Sequence, residues 1–393
     1  MPQIPYIFNQ IVSFIPKDTF DRLTSKYKGN AYVKNFSCWN HLLTMIWAQL
    51  TSRRSLRDIE TSLRAHSDKL FRMGIGKSVS RNNIAYANAT REVAIYRELA
   101  QVMMLKASRI KIKDKLLLTI GEMFNLNGFF AIDSSTVTFD LSKYPWSIPQ
   151  EECGGIKIHT MFDLMRSVPR MCMITGHEER DQAFMEYYPY EKECFYMLDR
   201  IYLKTPGLYK IHTSQAYFVT RMKNKILYKT IENIPVDGVH VLSDQVIEFT
   251  GKVSRQGYPE TLRLIHYYSS EKNETLEFLT NNFVLDAATI ALLYQYRWNI
   301  EMFFKWIKQH LRIKTFYGTS ANAVVIQIYT AFITFCTLAL AADAHDFDGT
   351  LYEFSNIMSV SLTEKKWLCD LLKSYECIEG NRTEPDYPSL FSI

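Results

Sequence analysis

Residues 287–311 read AATIALLYQYRWNIEMFFKWIKQHL, a run without Gly or Pro that Asp286 precedes as a candidate N-cap. At 100° per residue the stretch is one helix, and Tyr294, Arg297, Glu301, Lys305 and Lys308 fall within about 60° of one another on it. Leu292, Ile300, Phe303, Phe304 and Ile307 lie mostly elsewhere and can bury it. One acid thus stands in a stripe of cations and a phenol. On the helix alone, the pattern suits a solvated face with i,i+4 ion pairs as readily as a metal-holding carboxylate beside phosphate-binding groups. The second reading needs more carboxylates from elsewhere in the chain.

Strands upstream supply them. GFFAIDSSTV (128–137) is a short apolar strand ending at Asp133, with Ser134, Ser135 and Thr136 after it, and GIKIHTMFDL (155–164) and VPRMCMITG (168–176) follow as antiparallel partners. HEERDQAFMEYY (177–188) reads as a helix. ECFYML (193–198) is a further buried strand with Asp199 at its C-terminal end, and AYFVTRM (216–222) is one more. Residues 225–282 alternate polar and apolar in short runs, which predicts a β-rich insertion. Strands and helices in this order give an α/β core.

Asp133 and Asp199 at strand ends and Glu301 on a packed helix can converge. Three hard oxygen donors suit Mg²⁺ or Mn²⁺. Two such ions about 4 Å apart serve in-line attack at a phosphodiester, and without a cation three clustered carboxylates raise one another's pKa. Arg297 and Lys308 can then hold backbone phosphates, with Tyr294 as a hydrogen-bond donor. His159 and His177 read as satisfied polar residues, since neither has a second His at ligand spacing. Asp163 and Asp181 are reserve carboxylates. Ser134, Ser135 and Thr136 lack a surrounding G-x-S-x-G and read as turn chemistry.

The net charge of +5 hides an asymmetry: residues 1–120 carry about +12 and the remainder about −7. A basic front end is the footprint of a polyanion, nucleic acid before acidic membrane. This part reads as helical. Ser55 is a cap for SLRDIETSLRA (55–65). Gly74 and Gly76 make a turn, and Ser80 caps an Ala-rich run over 84–105. Helix, Gly-containing turn and capped helix resemble a helix-turn-helix arrangement, for which Arg53, Arg54, Arg57, Lys77 and Arg81 are candidate DNA contacts. An ordinary helical bundle fits the pattern equally, and the local charge favours DNA. The seven Cys form no CxxC or Cys/His cluster, which argues against a disulfide framework or structural zinc and for a reducing cytosol. The start, MPQIPYIFNQIV, lacks the features of a signal peptide. AVVIQIYTAFITFCTLALAA (323–342) is long enough to span a bilayer, but Gln327, four Thr and a following run of Asp predict a buried core helix. TEKKWLCDLLKS (363–374) is one more amphipathic helix.

The spacing Tyr294-x2-Arg297-x3-Glu301-x6-Lys308 resembles the Y-R-E-K signature of bacterial insertion-sequence transposases of the DDE class, in the family named for insertion sequence 4. AIDSSTV resembles that family's first catalytic block, with Asp133 in the first-aspartate position, and FYMLDRIY resembles the second, with Asp199. The likeness covers about residues 125–340. It implies an RNase H-like mixed sheet flanked by helices with a β-strand insertion, preceded by an all-α N-terminal domain. The expected division is 1–118 helical and DNA-binding, 119–343 catalytic with 225–282 inserted, and 344–393 a helical tail. It further implies cut-and-paste DNA transposition by a homodimer in the bacterial cytoplasm, at the nucleoid. The protein would cut at the inverted-repeat ends and join them to target DNA, with a hairpin intermediate as one route. Asp133, Asp199 and Glu301 would bind two Mg²⁺, with Mn²⁺ as a substitute, and Tyr294, Arg297 and Lys308 would position the DNA end. One departure is visible: Ile201 stands where the second block usually has Gly or Ala. An RNase H-like nuclease without strand transfer and a non-catalytic DNA-binding protein are the alternatives.

Overall fold

The computed structural model describes residues 4–147, 154–236, 240–270, 273–311, 313 and 316–379. Seven helices come first: α1 (Ile7–Val12), α2 (Lys17–Lys26), α3 (Cys38–Leu50), α4 (Leu56–Ala65), α5 (Arg81–Thr90), α6 (Val93–Ala107) and α7 (Lys115–Phe124). Ser55 and Ser80 cap α4 and α5, each accepting a main-chain N–H three residues on. The expected 84–105 helix is two helices, because the chain turns extended at Arg91. The Arg91 guanidinium bonds the carbonyls of Gly29 and Phe36. That long-range anchor is invisible to local propensity.

Among the described residues nine strands follow in one sheet: β1 (Gly128–Phe139), β2 (Gly154–Asp163), β3 (Val168–Gly176), β4 (Cys194–Leu198), β5 (Tyr217–Arg221), β6 (Tyr228–Ile234), β7 (Val241–Phe249), β8 (Leu262–Ser269) and β9 (Glu274–Thr280). Their order is β3-β2-β1-β4-β5-β9-β8-β7-β6. β1, β4 and β5 run parallel, and the other pairs are antiparallel. The inserted strands therefore lengthen the central sheet through the β5–β9 pair. The expected helix over 177–188 is reduced to a 3₁₀ turn, Asp181–Glu186. Short helices α8 (Thr205–Thr213) and α9 (Lys252–Gly257) pack together on one side. The fold is thus the RNase H-like mixed sheet, flanked by helices and preceded by a helical region.

The 287–311 stretch forms two helices, α10 (Ala287–Gln295) and α11 (Trp298–His310). Asp286 caps α10 by accepting Thr289 N at 2.9 Å. Between the helices, Arg297 N, Asn299 N and Ile300 N bond carbonyls only three residues back, a tight turn in place of α-helical spacing. Tyr296, at this turn, is buried, with its hydroxyl 3.4 Å from Asp114.

α12 (Ala321–Ala344) is long and apolar enough to cross a membrane, yet 89% of its most apolar window is buried inside the protein. It packs on α3, α5, α6 and α13 (Leu351–Ser361). Its threonines are satisfied along the helix, Thr330, Thr334 and Thr337 each bonding a carbonyl four residues back. Gln49 of α3 donates to the Gln327 carbonyl and accepts from Thr334. These bonds explain how a helix buried nearly all round carries polar groups without penalty. α13 lies in the expected helical tail but was not marked out within it; its signal was the capping box of Thr350 and Glu353. The last helix among the described residues, α14 (Leu368–Glu379), begins five residues later than the sequence suggested.

Candidate active site

Strand parity decides which side chains meet. On β1, Phe129 and Ala131 join the core beneath α10–α12, whereas Phe130 and Ile132 join the core on the opposite face. Asp133 therefore points toward α11, and Ser134 points away from it. On β4 the same parity holds: Phe195 and Met197 face the α12 side, and Tyr196 and Leu198 the other. β1 and β4 are parallel with Ile132 opposite Leu198. Asp133 is the next residue of β1 and Asp199 the one just past the end of β4. The strand does not end at Asp133 as expected: pairing with β2 carries β1 on to Phe139, so Ser134, Ser135 and Thr136 are strand and not turn residues.

Arg297 joins two of the three acids. Its Nη2 lies 2.6 Å from Glu301 Oε1 and its Nη1 lies 3.5 Å from Asp133 Oδ2. The guanidinium also stacks over the Tyr294 ring at 5.8 Å, and Tyr294 packs in turn on Phe278. Burial pushes the Asp133 carboxyl up to about 7; the Ser134 N–H and Arg297 oppose this, while Asp199 and Glu301 add to it. Asp199 accepts Ile201 N at 2.9 Å and caps the 3₁₀ turn Arg200–Tyr202. The Ile201 side chain is exposed, so its bulk is accommodated outside the turn, and its carbonyl is held by Gln182 and Lys223.

An open pocket of about 430 Å³ lies between β1 and α11, lined by Asp133, Ser134, Ser135, Glu301, Lys305 and Lys308 among others. Asp199 is not among its lining residues. Lys308 Nζ donates to the Thr136 carbonyl at 3.0 Å. Among the described residues, no group of three or more His, Cys, Asp or Glu is gathered closely enough to hold a metal ion. The donor chemistry nonetheless fits a hard divalent cation. The acids are carboxylates, one of them buried with its charge disfavoured, and the positive charge that Asp133 and Glu301 share is Arg297.

The remaining candidates lie elsewhere. Asp163 is paired with Arg166 at 3.2 Å and caps the turn after β2. Asp181 accepts from Ser134 Oγ at 2.6 Å and lies 3.5 Å from Lys157 Nζ, on the sheet face opposite Asp133. His159, opposite Ser134 in the β1–β2 register, stacks on Phe184 with its ring centroid 3.8 Å away. Burial lowers it to about 4. The Ser134–Asp181 bond was missed from sequence, because only the antiparallel register and the 3₁₀ turn bring residues 47 apart together. In the N-terminal part Arg54, Arg57, Lys77 and Arg81 are exposed. Arg53 is half-buried, with its side chain bonded to Thr51 and its carbonyl accepting from Tyr317.

Comparison with known proteins gives two family matches. Residues 126–336 match the family described as "Transposase DDE domain", and residues 5–76 match "Domain of unknown function (DUF4372)". The chain is similar to a protein of Sinorhizobium fredii named as a transposase (y4zB), at 29% identity over 56% of this chain and 63% of the relative. It is 30% identical to a Geobacillus stearothermophilus protein named as a transposase for insertion sequence element IS5377, over 53% of this chain and 55% of the relative. It is 24% identical to a Synechocystis protein named as a transposase for insertion sequence element IS4SA, over 83% of this chain and 90% of the relative. The chain thus spans less than two thirds of the first two relatives and nearly all of the third. The DDE match covers more than half of the chain, from the strand that bears Asp133 through most of α12, and the chain belongs to the DDE transposase family.

Proposed function

We propose that this protein is a DNA transposase. It cleaves at the inverted-repeat ends of its insertion sequence and transfers the freed 3′ ends into target DNA. The observation that supports this most directly is that Asp133 on β1 and Asp199 just past the end of the parallel β4 follow paired residues, with Glu301 held beside Asp133 through Arg297. Asp133, Asp199 and Glu301 are the proposed catalytic residues and the holders of two Mg²⁺ ions, which Mn²⁺ can replace. Bound there, the ions supply activation of the attacking water or 3′-OH and stabilisation of the leaving oxygen.

The chain's own groups do the rest. Arg297 presents a planar fork already shared between two carboxylates, the geometry that also suits a DNA phosphate. Tyr294 supports that guanidinium from beneath. Lys305 and Lys308 bring positive charge to the pocket where the strand end lies. This reading assigns the spacing of Tyr294, Arg297, Glu301 and Lys308 to the Y-R-E-K signature, and the protein to the insertion-sequence-4 family. The unit 1–118 recognises the ends with Arg53, Arg54, Arg57, Lys77 and Arg81. Residues 119–343 carry the chemistry, with 225–282 inserted, and 344–393 form the tail. Two ends cut in concert require a homodimer, acting at the bacterial nucleoid, and a hairpin closed on the element's own end and reopened before joining is one route.

The test is in vitro cleavage of the element's own end with its flanking DNA, in Mg²⁺ and in EDTA, by wild type and Glu301→Ala. Metal-dependent cutting that the variant loses, with joined products, supports the reading. Nicks without joining would reassign the site to a nuclease. Specific binding without cutting would leave a DNA-binding protein.

A further inference from the structure

Residues 69–91 contain no acid and five cations, of which Arg72, Lys77 and Arg81 are exposed, Lys69 is half-buried and Arg91 is buried on main-chain carbonyls. α5 lies at the end of this stretch. Its inner face, Ile84, Ala87 and Asn88, is buried, and its outer face presents Arg81, Asn82, Asn83, Tyr86 and Ala89 to solvent. Tyr86 is 72% exposed. The Asn82 and Asn83 side-chain amides bond to no protein group among the described residues. A helix face of free amides, without acids and flanked by cations, is complementary to the major groove of duplex DNA. Asparagine can there bond bidentately to adenine, and Lys and Arg hold phosphates.

The back of α5 is fixed. His41 Nε2 is 2.8 Å from Asn88 Oδ1. Asn322, at the start of α12, donates to the carbonyls of Asn88 and Arg91 at 2.9 and 2.8 Å. α12 in turn packs against α11, with Phe303 edge-on to Phe332 and Phe335 at 5.7 and 5.0 Å. A continuous chain of packed side chains therefore links α5 to the helix bearing Glu301.

We propose that α5 is the base-reading helix of this chain. Asn82, Asn83 and Tyr86 face the bases, Arg57, Lys77 and Arg81 hold the flanking phosphates, and the α5–α12–α11 linkage sets a fixed distance between the bases read and the bond cut. This rests on the transposase reading above and assigns a ligand, duplex DNA, to a helix that lies just past the 5–76 family match.

The experiment uses the full chain in EDTA, so that binding is read without cleavage. Fluorescence anisotropy compares a duplex carrying the element's terminal repeat with a scrambled duplex of equal length. The double variant Asn82→Ala/Asn83→Ala, checked by circular dichroism, loses the preference for the repeat by at least about tenfold while keeping its affinity for the scrambled duplex. Lys77→Ala/Arg81→Ala weakens both duplexes and lowers the salt dependence. In Mg²⁺, inserting about 5 bp between repeat and cleavage site, half a helical turn, abolishes cutting and leaves binding intact. An unchanged preference in the Asn variant overturns the base-reading assignment, and so does a wild type without preference for the repeat. Cutting that follows the insertion overturns the fixed distance. A wild type that prefers the repeat, through Asn82 and Asn83, yet cuts nothing supports the α5 assignment and defeats the catalytic reading alone.

Discussion

Lys308 donates from Nζ to the main-chain oxygen of Thr136 at 3.0 Å, tying the last turn of α11 to β1 three residues beyond Asp133. A cation in the signature spacing is thus also a strut between the strand of one acid and the helix of another. Replacing it with Met keeps the stem and removes the donor. A charged hydrogen bond at a half-buried position contributes about 1 kcal/mol. Lys308→Met should therefore lower the unfolding free energy by about that amount, seen as a lower urea midpoint, and an unmoved midpoint would remove the strut from the account.

Arg297 is the cation that Asp133 and Glu301 share. Arg297→Gln leaves two carboxylates facing each other and drives Asp133, already pushed up to about 7, further up. Cleavage should fall by about 10²-fold or more. Arg297→Lys restores charge without the fork and should recover only part of it. Rates for the two purified variants on the same DNA end check this; a Lys variant equal to wild type would show that the fork is dispensable.

Arg263 and Asp244 form a buried pair in the inserted strands, with the guanidinium bonding both carboxylate oxygens at 2.9 and 2.6 Å. The same guanidinium bonds the carbonyls of Asn282 and Leu285, just before α10. Removing one partner of such a pair costs about 3–5 kcal/mol. Arg263→Leu should lower stability by that order, and the double change with Asp244→Leu should recover a good part. Denaturant titrations of the single and double variants measure both.

His41 is buried between Tyr96 OH at 2.6 Å and Asn88 Oδ1 at 2.8 Å, and burial lowers it to about 4 from an ordinary 6.5. The neutral ring suits both neighbours, donating to the amide oxygen and accepting from the phenol. The folded chain binds the proton less tightly than the unfolded one. The stabilisation is therefore complete above pH 6.5 and is lost as pH falls toward 4, by up to about 3 kcal/mol. His41→Gln should flatten the unfolding free energy across that window. A slope equal to that of wild type would place the titration elsewhere.

The sequence by itself determined much of this protein. Ser55, Ser80 and Asp286 cap helices because their side chains bond main-chain N–H groups only three residues away. The apolar run 323–342 already required burial, whereas Ser134, read as turn chemistry, is placed in β1 only by its pairing with His159. The tertiary structure decided the rest. Arg297 lies in a tight turn because Tyr296 is drawn into the core between α10 and α11, so the stripe of cations is bent where a single helix would have kept it straight. The 84–105 run divides at Arg91 because distant carbonyls claim its guanidinium. Ser134 finds Asp181 only after the sheet has folded. Each of these depends on groups far apart in the chain, and periodicity reports only what neighbours along the chain impose.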